Sequence, residues 1–376
     1  MEKKKWKDVL HIVSGKNQKA VANPNGKYPI YGSGGQMGYA DEYLCEAGTT
    51  IVGRKGTINN PIFVTEPFWN IDTAFGIVPN EGLAPKYLYY FCVYFNFMPL
   101  DKSTGRPSLA KSDLLKIEMP VPSLPKQQSI VSRIEELFSS LDNAVETLQK
   151  TKEQLAVYRQ AVLKEAFERY DCDEVALGEV IDILTDYHAN GSYKMLKEHV
   201  TLLDNPDYAI MIRSTNFEKN DFVRDLKYIS KESYDFLQKS QLFGGEVLMG
   251  KIGNAGRVYY MKPIGQPCSL AMNMFAMRFK PHIDSRYVYY YLKSPNAEQD
   301  IRKYVKGVGT PTIDKKSVRS IRFKVPKRKD VQEEIVSEIE SRMSVCDSIE
   351  QTVNTALAQA ESMCQSILKE AFEGRL

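Results

Sequence analysis

From Ile130 the apolar positions step by four and three through Ile134, Leu137, Leu141, Ala144, Leu148, Leu155, Tyr158 and Val162, with Thr151 the single polar rung. The same ladder returns 205 residues later as Ile335, Ile339, Cys346, Ile349, Val353, Ala356, Ala360, Met363 and Ile367, broken only by Arg342. This spacing predicts two long helices, each with an a/d seam. No Gly or Pro interrupts either run, and Pro122, Pro125 and Pro326 stand just upstream, where they end the preceding element. A helix of about 40 residues is about 60 Å long. It cannot bury its stripe on one small lobe. The helices are therefore expected to pair antiparallel within the chain as a coiled-coil rod separating two globular domains. Ile134, Leu141, Leu148 and Leu155 would pair with Ile339, Ile349, Val353 and Met363. Pairing between two copies, or of each helix with its own lobe, are the alternatives. Flanking Val131, Phe138, Val145, Phe167 and Phe372 widen the stripe and suggest that a further partner docks there.

Elsewhere the pattern shortens to strand length. Tyr28–Gly35, Thr49–Gly56 and Glu246–Gly253 read as strands running into Gly-containing turns, Tyr208–Arg213 as a further strand, and Pro85–Phe97 and Ser285–Lys293 as Tyr-rich helices. Aromatics at helical spacing indicate core packing, with base stacking as the alternative. The expected class is α/β (α+β), with a mixed, strongly bent sheet in each lobe.

The halves are copies. Leu-Lys-Glu-Ala-Phe-Glu at 163–168 recurs at 368–373. Gly105-Arg106-Pro107-Ser108-Leu109 matches Gly309-Thr310-Pro311-Thr312-Ile313, Lys111 matches Lys315, and Tyr87-Leu88-Tyr89-Tyr90-Phe91 matches Tyr287-Val288-Tyr289-Tyr290-Tyr291. An offset drifting from 200 to 205 is that of a tandem duplication with unequal loops. The expected segments are a first globular domain (1–125), a helical spacer (126–171), a second globular domain (172–326) and a second spacer (327–376), arranged as a pseudo-two-fold or translational repeat.

Charge follows these segments. Residues 1–125 carry 14 Lys and Arg against 11 Asp and Glu, and 172–330 carry 26 against 19, whereas 331–376 carry 3 against 9. Basic lobes suit a polyanion, because each neutralised phosphate releases a counterion. The candidate contacts are Gly-flanked basic turns: Arg54 and Lys55 before Gly56, Arg106 and Ser108, Lys251 and Asn254, and Thr310 and Thr312. Arg257 joins Asn254 at its turn, and Lys303 and Lys306 lie in a stretch from Arg302 to Lys329 that opposes 11 cations to the lone Asp314. Glycine lets backbone approach phosphate, and Asn or Arg can make paired bonds to a base edge.

Other chemistry lacks a signature. There is no phosphate-loop GxxxxGK[ST], no HExxH, and no CxxC among the six cysteines, which read as reduced structural thiols. Asn60-Pro61-Ile62-Phe63 lacks the second proline of an adenine-methyltransferase motif. No metal, cofactor or catalytic constellation is expected. The longest apolar stretch, Leu88–Leu100, is too short to span a bilayer, and a cytoplasmic location is expected.

Duplicated variable domains, each followed by a long helix ending in Leu-Lys-Glu-Ala-Phe-Glu, with Ala371-Phe372-Glu373-Gly374-Arg375-Leu376 closing the second, resemble the specificity subunit of Type I restriction-modification systems. The resemblance spans the chain and implies a non-catalytic DNA-binding subunit. Each domain would read half of a split, asymmetric site on double-stranded DNA. The helices would set the spacer and dock two methyltransferase subunits carrying S-adenosylmethionine, and restriction/translocase subunits would join them. The specificity component of a Type IIB or IIG system, or a coiled-coil scaffold that never touches DNA, are the competing readings.

Overall fold

The computed structural model describes residues 2–170 and 172–376. Positions 1 and 171, the outer ends of two expected segments, lie outside the described residues. The chain divides into two compact units, one made of Met1–Thr151 with Thr352–Leu376, the other of Lys152–Gln351. The long helices, Leu124–Glu168 and Lys329–Glu373, are 45 residues each, and both contribute to both units.

The lobes repeat one topology. In the first unit a four-stranded antiparallel sheet has the order Leu10–Ser14, Ala74–Pro79, Thr49–Gly53, Ile62–Val64. In the second the order is Ile181–Asp186, Met274–Phe279, Val247–Gly250, Val258–Tyr260. Each lobe adds a smaller mixed sheet built on a parallel pair: Tyr28–Gly32 with Trp69–Asn70, and Ala209–Ile212 with Cys268–Leu270. The single bent sheet expected from sequence is thus these two sheets in each lobe, with a two-stranded antiparallel one beside them, Lys3–Lys5 with Glu118–Pro120 in the first and Asp173–Ala176 with Arg322–Val325 in the second. The central strands Thr49–Gly53 and Val247–Gly250 are buried at every position, because both faces are covered.

The Tyr-rich helices, Pro85–Tyr94 and Ser285–Leu292, pack inward through Tyr87, Leu88 and Phe91 and through Tyr287, Val288 and Leu292. The Tyr87 hydroxyl donates to Pro120 O (3.0 Å) and the Tyr287 hydroxyl to Lys324 O (2.8 Å). A buried glutamine anchors each long helix in the same way. Ala84 N–H donates to Gln127 Oε1 (2.8 Å), and Gln127 Nε2 donates to the Gly82 and Pro122 carbonyls. In the second unit Asp284 N–H donates to Gln332 Oε1 (2.8 Å), and Gln332 Nε2 donates to His282 and Pro326. Every polar atom of these side chains is satisfied, so their burial is tolerated.

The helices run antiparallel within each unit. In the first, Ile130, Val131 and Ile134 share a core with Ile367, Leu368, Ala371 and Phe372, and Lys126 Nζ donates to Leu376 O (3.1 Å). In the second, Leu163, Ala166 and Phe167 share a core with Ile335, Val336 and Ile339. The repeated Leu-Lys-Glu-Ala-Phe-Glu is therefore a lobe-sealing element. Phe372 stands edge-on to Phe91 (5.3 Å) and tilted to Tyr87 (5.2 Å), and Phe167 edge-on to Tyr287 (5.3 Å) and Tyr291 (5.1 Å).

Of the expected pairing residues, Ile134, Leu155, Ile339 and Val353 are buried and Leu141 and Leu148 half-buried, but Ile349 and Met363 are 40% and 53% exposed. The second row of the seam holds at Ile130, Leu137, Thr151, Ile335 and Ala356 and is displaced by one position at four others. Val145 and Arg159 are half-buried where Ala144 and Tyr158 were expected, as are Glu350 and Cys364 in place of Ile349 and Met363. Both rows satisfy a four–three step, so spacing alone does not choose between them. Ion pairs accompany the displaced row: Arg159 reaches Asp347 (2.8 Å) and Glu350 (2.9 Å). Arg342, the break in the ladder, pairs with Glu165 (2.9 Å) over the Tyr158 ring.

Candidate nucleic-acid interface

Basic turns far apart in sequence form one structure in each lobe. After strand Thr49–Gly53, the Arg54 N–H donates to Thr73 O (2.8 Å), tying the turn to the start of the neighbouring strand. The segment carrying Arg106 and Ser108 lies against it. Gly56 N–H donates to Pro107 O (2.8 Å), Leu109 N–H donates to Arg54 O (2.9 Å), and Lys55 bridges Ser108. The second lobe repeats this bond for bond: Lys251 N–H to Asn273 O (2.8 Å), Gly253 N–H to Pro311 O (2.9 Å), Ile313 N–H to Lys251 O (3.0 Å), and Ile252 bridging Thr312.

In the first lobe this knot presents cations to solvent. Lys55 and Arg106 are exposed, while Arg54 lies half-buried over the Phe75 ring. Gly56 has φ +86°, and a Cβ there would stand 2.7 Å from Arg106 Nη2, so glycine is required for the guanidinium to lie across the turn. Asp101 orders the approaching segment by accepting from Ser103 N–H (2.9 Å), the Ser103 hydroxyl (2.8 Å) and Ser108 N–H (3.0 Å). Those bonds hold its carboxyl below the usual range.

The second lobe uses its cations differently. Lys251, expected at the interface, donates to buried Asp186 (2.6 Å), as does Lys315 (2.8 Å). Burial alone would raise the Asp186 pKa, but the two ammonium groups outweigh it and hold the carboxyl below its ordinary value. The charge of Lys251 is thereby offset internally. Lys303 pairs with Asp300 (3.1 Å). Lys306, Thr310 and Thr312 are exposed on a tight hairpin closed by reciprocal bonds between Lys306 and Thr312 (2.9 and 2.8 Å), with Val308 fully exposed at its tip. Asn254 and Arg257 both face Glu218. Arg257, Phe217, Tyr259 and Tyr260 line a cleft of about 1230 Å3 beside the turn.

Sequence reasoning missed Asp101, Asp186, Glu218 and Lys315 as parts of the site. Only Lys315 left a trace, through its recurrence with Lys111, whose Nζ donates to Ile12 O (2.7 Å) on the corresponding strand of the first lobe. Burial pushes the Cys45 thiol up to about 12 and the Cys268 thiol to about 11, each helped by a neighbouring glutamate, so neither is a ready nucleophile. Among the described residues no helix is long and apolar enough to cross a membrane.

The family model for the Type I restriction modification DNA specificity domain matches residues 1–156 and again 170–359, one match to each half of the repeat. The chain belongs to this family. Among relatives of the specificity subunit, that of the Type I restriction enzyme StySPI from Salmonella potsdam is 24% identical over 323 residues, 79% of this chain and 67% of its own length. That of EcoBI from Escherichia coli is 24% identical over 353 residues, 87% of this chain and 73% of the relative. The fold is shared with solved specificity subunits. A chain from a study of assembly and conformational transition of the type I restriction-modification system aligns at TM-score 0.77 and 16% identity, covering 100% of this chain and 98% of that one. The HsdS subunit of Thermoanaerobacter tengcongensis aligns at 0.58 and 16%, covering 100% and 97%. The subunit's DNA-specificity modules are thus the duplicated lobes, and the paired turns occupy the same place in both.

Proposed function

We propose that each lobe of this specificity subunit reads one half of a bipartite, asymmetric site on double-stranded DNA through its paired basic turns. The observation that carries this reading is the knot itself. Duplicated scaffolds, whose surface sequences have diverged, retain the same backbone bonds where Gly-flanked basic segments meet. In the first lobe Lys55 and Arg106 are phosphate contacts that set register. In the second, Asn254 and Arg257 are base-edge readers, with Lys306, Thr310 and Thr312 on the backbone.

The chain performs no chemistry in this scheme. Adenine methylation belongs to two methyltransferase subunits, which bring S-adenosylmethionine, and cleavage belongs to restriction/translocase subunits that join them. The long helices fix the spacer and dock the methyltransferases. Apolar side chains left in solvent on their surfaces, Val157 at 70%, Val345 at 58% and Ile349 at 40% exposure in the second unit and Met363 at 53% in the first, are available for that docking. Two weak half-site contacts held on one chain add through effective concentration.

Gel shift at low and moderate salt, with and without a methyltransferase partner, tests the reading. Partner-enhanced binding that selects one sequence over random duplex is expected. Binding that is absent, or indifferent to both sequence and partner, contradicts it and favours a scaffold.

A further inference from the structure

Three side chains from one turn and the strand after it, residues 254–259 of the second lobe, converge on one carboxylate. Glu218 closes the short helix Ser214–Glu218. Its Oε1 accepts from Asn254 Nδ2 and from the Tyr259 hydroxyl (3.3 Å), and Arg257 Nη1 stands 3.7 Å away. The Tyr259 ring stacks on Phe217, centroids 4.8 Å apart at 26°, which pins the helix end to strand Val258–Tyr260. Burial, then the charge of Glu218, push the Tyr259 hydroxyl up to about 12, so it remains a proton donor at neutral pH. The carboxylate is thus fixed from behind by Tyr259 and faces the turn.

An ionised carboxylate only accepts hydrogen bonds, whereas an asparagine amide has one acceptor oxygen and one two-proton donor. Asn254 can face Glu218 only with its NH2 group, so the amide has one orientation. One N–H is used on Glu218, and the other N–H and Oδ1 remain. That pair complements adenine in the major groove, where N7 accepts and the exocyclic N6 amine donates. We propose that Glu218 is a positioning residue for recognition by the second lobe, locking the Asn254 amide so that the turn reads an adenine. The inference rests on the reading of this turn as a DNA contact.

The test is to map methylated sites made by the complete complex carrying Glu218→Gln, Asn254→Ala or Arg257→Ala. Glutamine keeps the size of Glu218 but offers both donor and acceptor, so the Asn254 amide is free to turn over. Glu218→Gln is expected to relax one adenine position in one half-site, lowering discrimination there about ten- to a hundredfold. Asn254→Ala should relax the same position, and the other half-site should stay intact in both, which also reports a folded complex. Relaxation by Asn254→Ala alone would show that Glu218 does not position the amide. Relaxation by Glu218→Gln at a position indifferent to Asn254→Ala would make Glu218 itself the reader, and a relaxed position other than adenine would refute the orientation argument. If neither Asn254→Ala nor Arg257→Ala alters either half-site, the turn is no interface, and the reading beneath the proposal falls with it.

Discussion

A cation already paired with an internal anion adds less to the electrostatic, phosphate-directed part of DNA binding, and the two lobes differ on this point. Lys55 and Arg106 stand exposed on a backbone pinned by main-chain bonds, whereas Lys251 donates to Asp186. Each lost phosphate contact should remove nearly one unit from the slope of log affinity against log salt concentration. Lys55→Ala and Arg106→Ala are therefore expected to weaken binding of all duplexes alike and to flatten that slope by about one each. Salt titration of the complex checks this, and an unchanged slope would remove either residue from the interface. Residue type and flanking glycines make these turns legible in the sequence. The acid partners Asp186 and Glu218 are not, because each reaches its cation only through the folded sheet, 65 and 39 residues away in sequence for Lys251 and Arg257.

Between elements, the strongest joints are where the ends of the long helices enter the lobe cores. Phe372 packs on Tyr87 and Phe91 in the first unit, and Phe167 on Tyr287 and Tyr291 in the second. Truncating such a buried ring costs about 3–5 kcal/mol. Both tryptophans, Trp6 and Trp69, lie in the first unit, so their fluorescence reports its unfolding. Phe372→Ala should lower the tryptophan midpoint more than Phe167→Ala does; the opposite order would contradict the assignment of the C-terminal segment to the first unit. Helix length and the buried row Ile339, Cys346, Val353, Ala360 and Ile367 are plain in the sequence. The neighbouring row is not, because two rows one residue apart fit the same period, and where the observed one departs from the apolar ladder it includes charged residues, Arg159 and Glu350, that pair across the helices.

On the scale of the whole molecule, duplication is the organising fact. One family model matches the chain twice, one sheet order occurs twice, and one turn-to-turn knot occurs twice. Short identities such as Leu-Lys-Glu-Ala-Phe-Glu make the repeat visible in the amino-acid sequence, because the joints between helix and lobe tolerate little change in shape. The surfaces that differ between the copies are those on which a target sequence would be read, and a single chain holds no pattern that spells the bases. The most direct measurement replaces residues 1–125 with the corresponding domain of another family member and maps methylated adenines in cells carrying the chimeric complex. One half-site should change and the other remain; a change in both, or in neither, would contradict the account that each lobe reads its own part of the site.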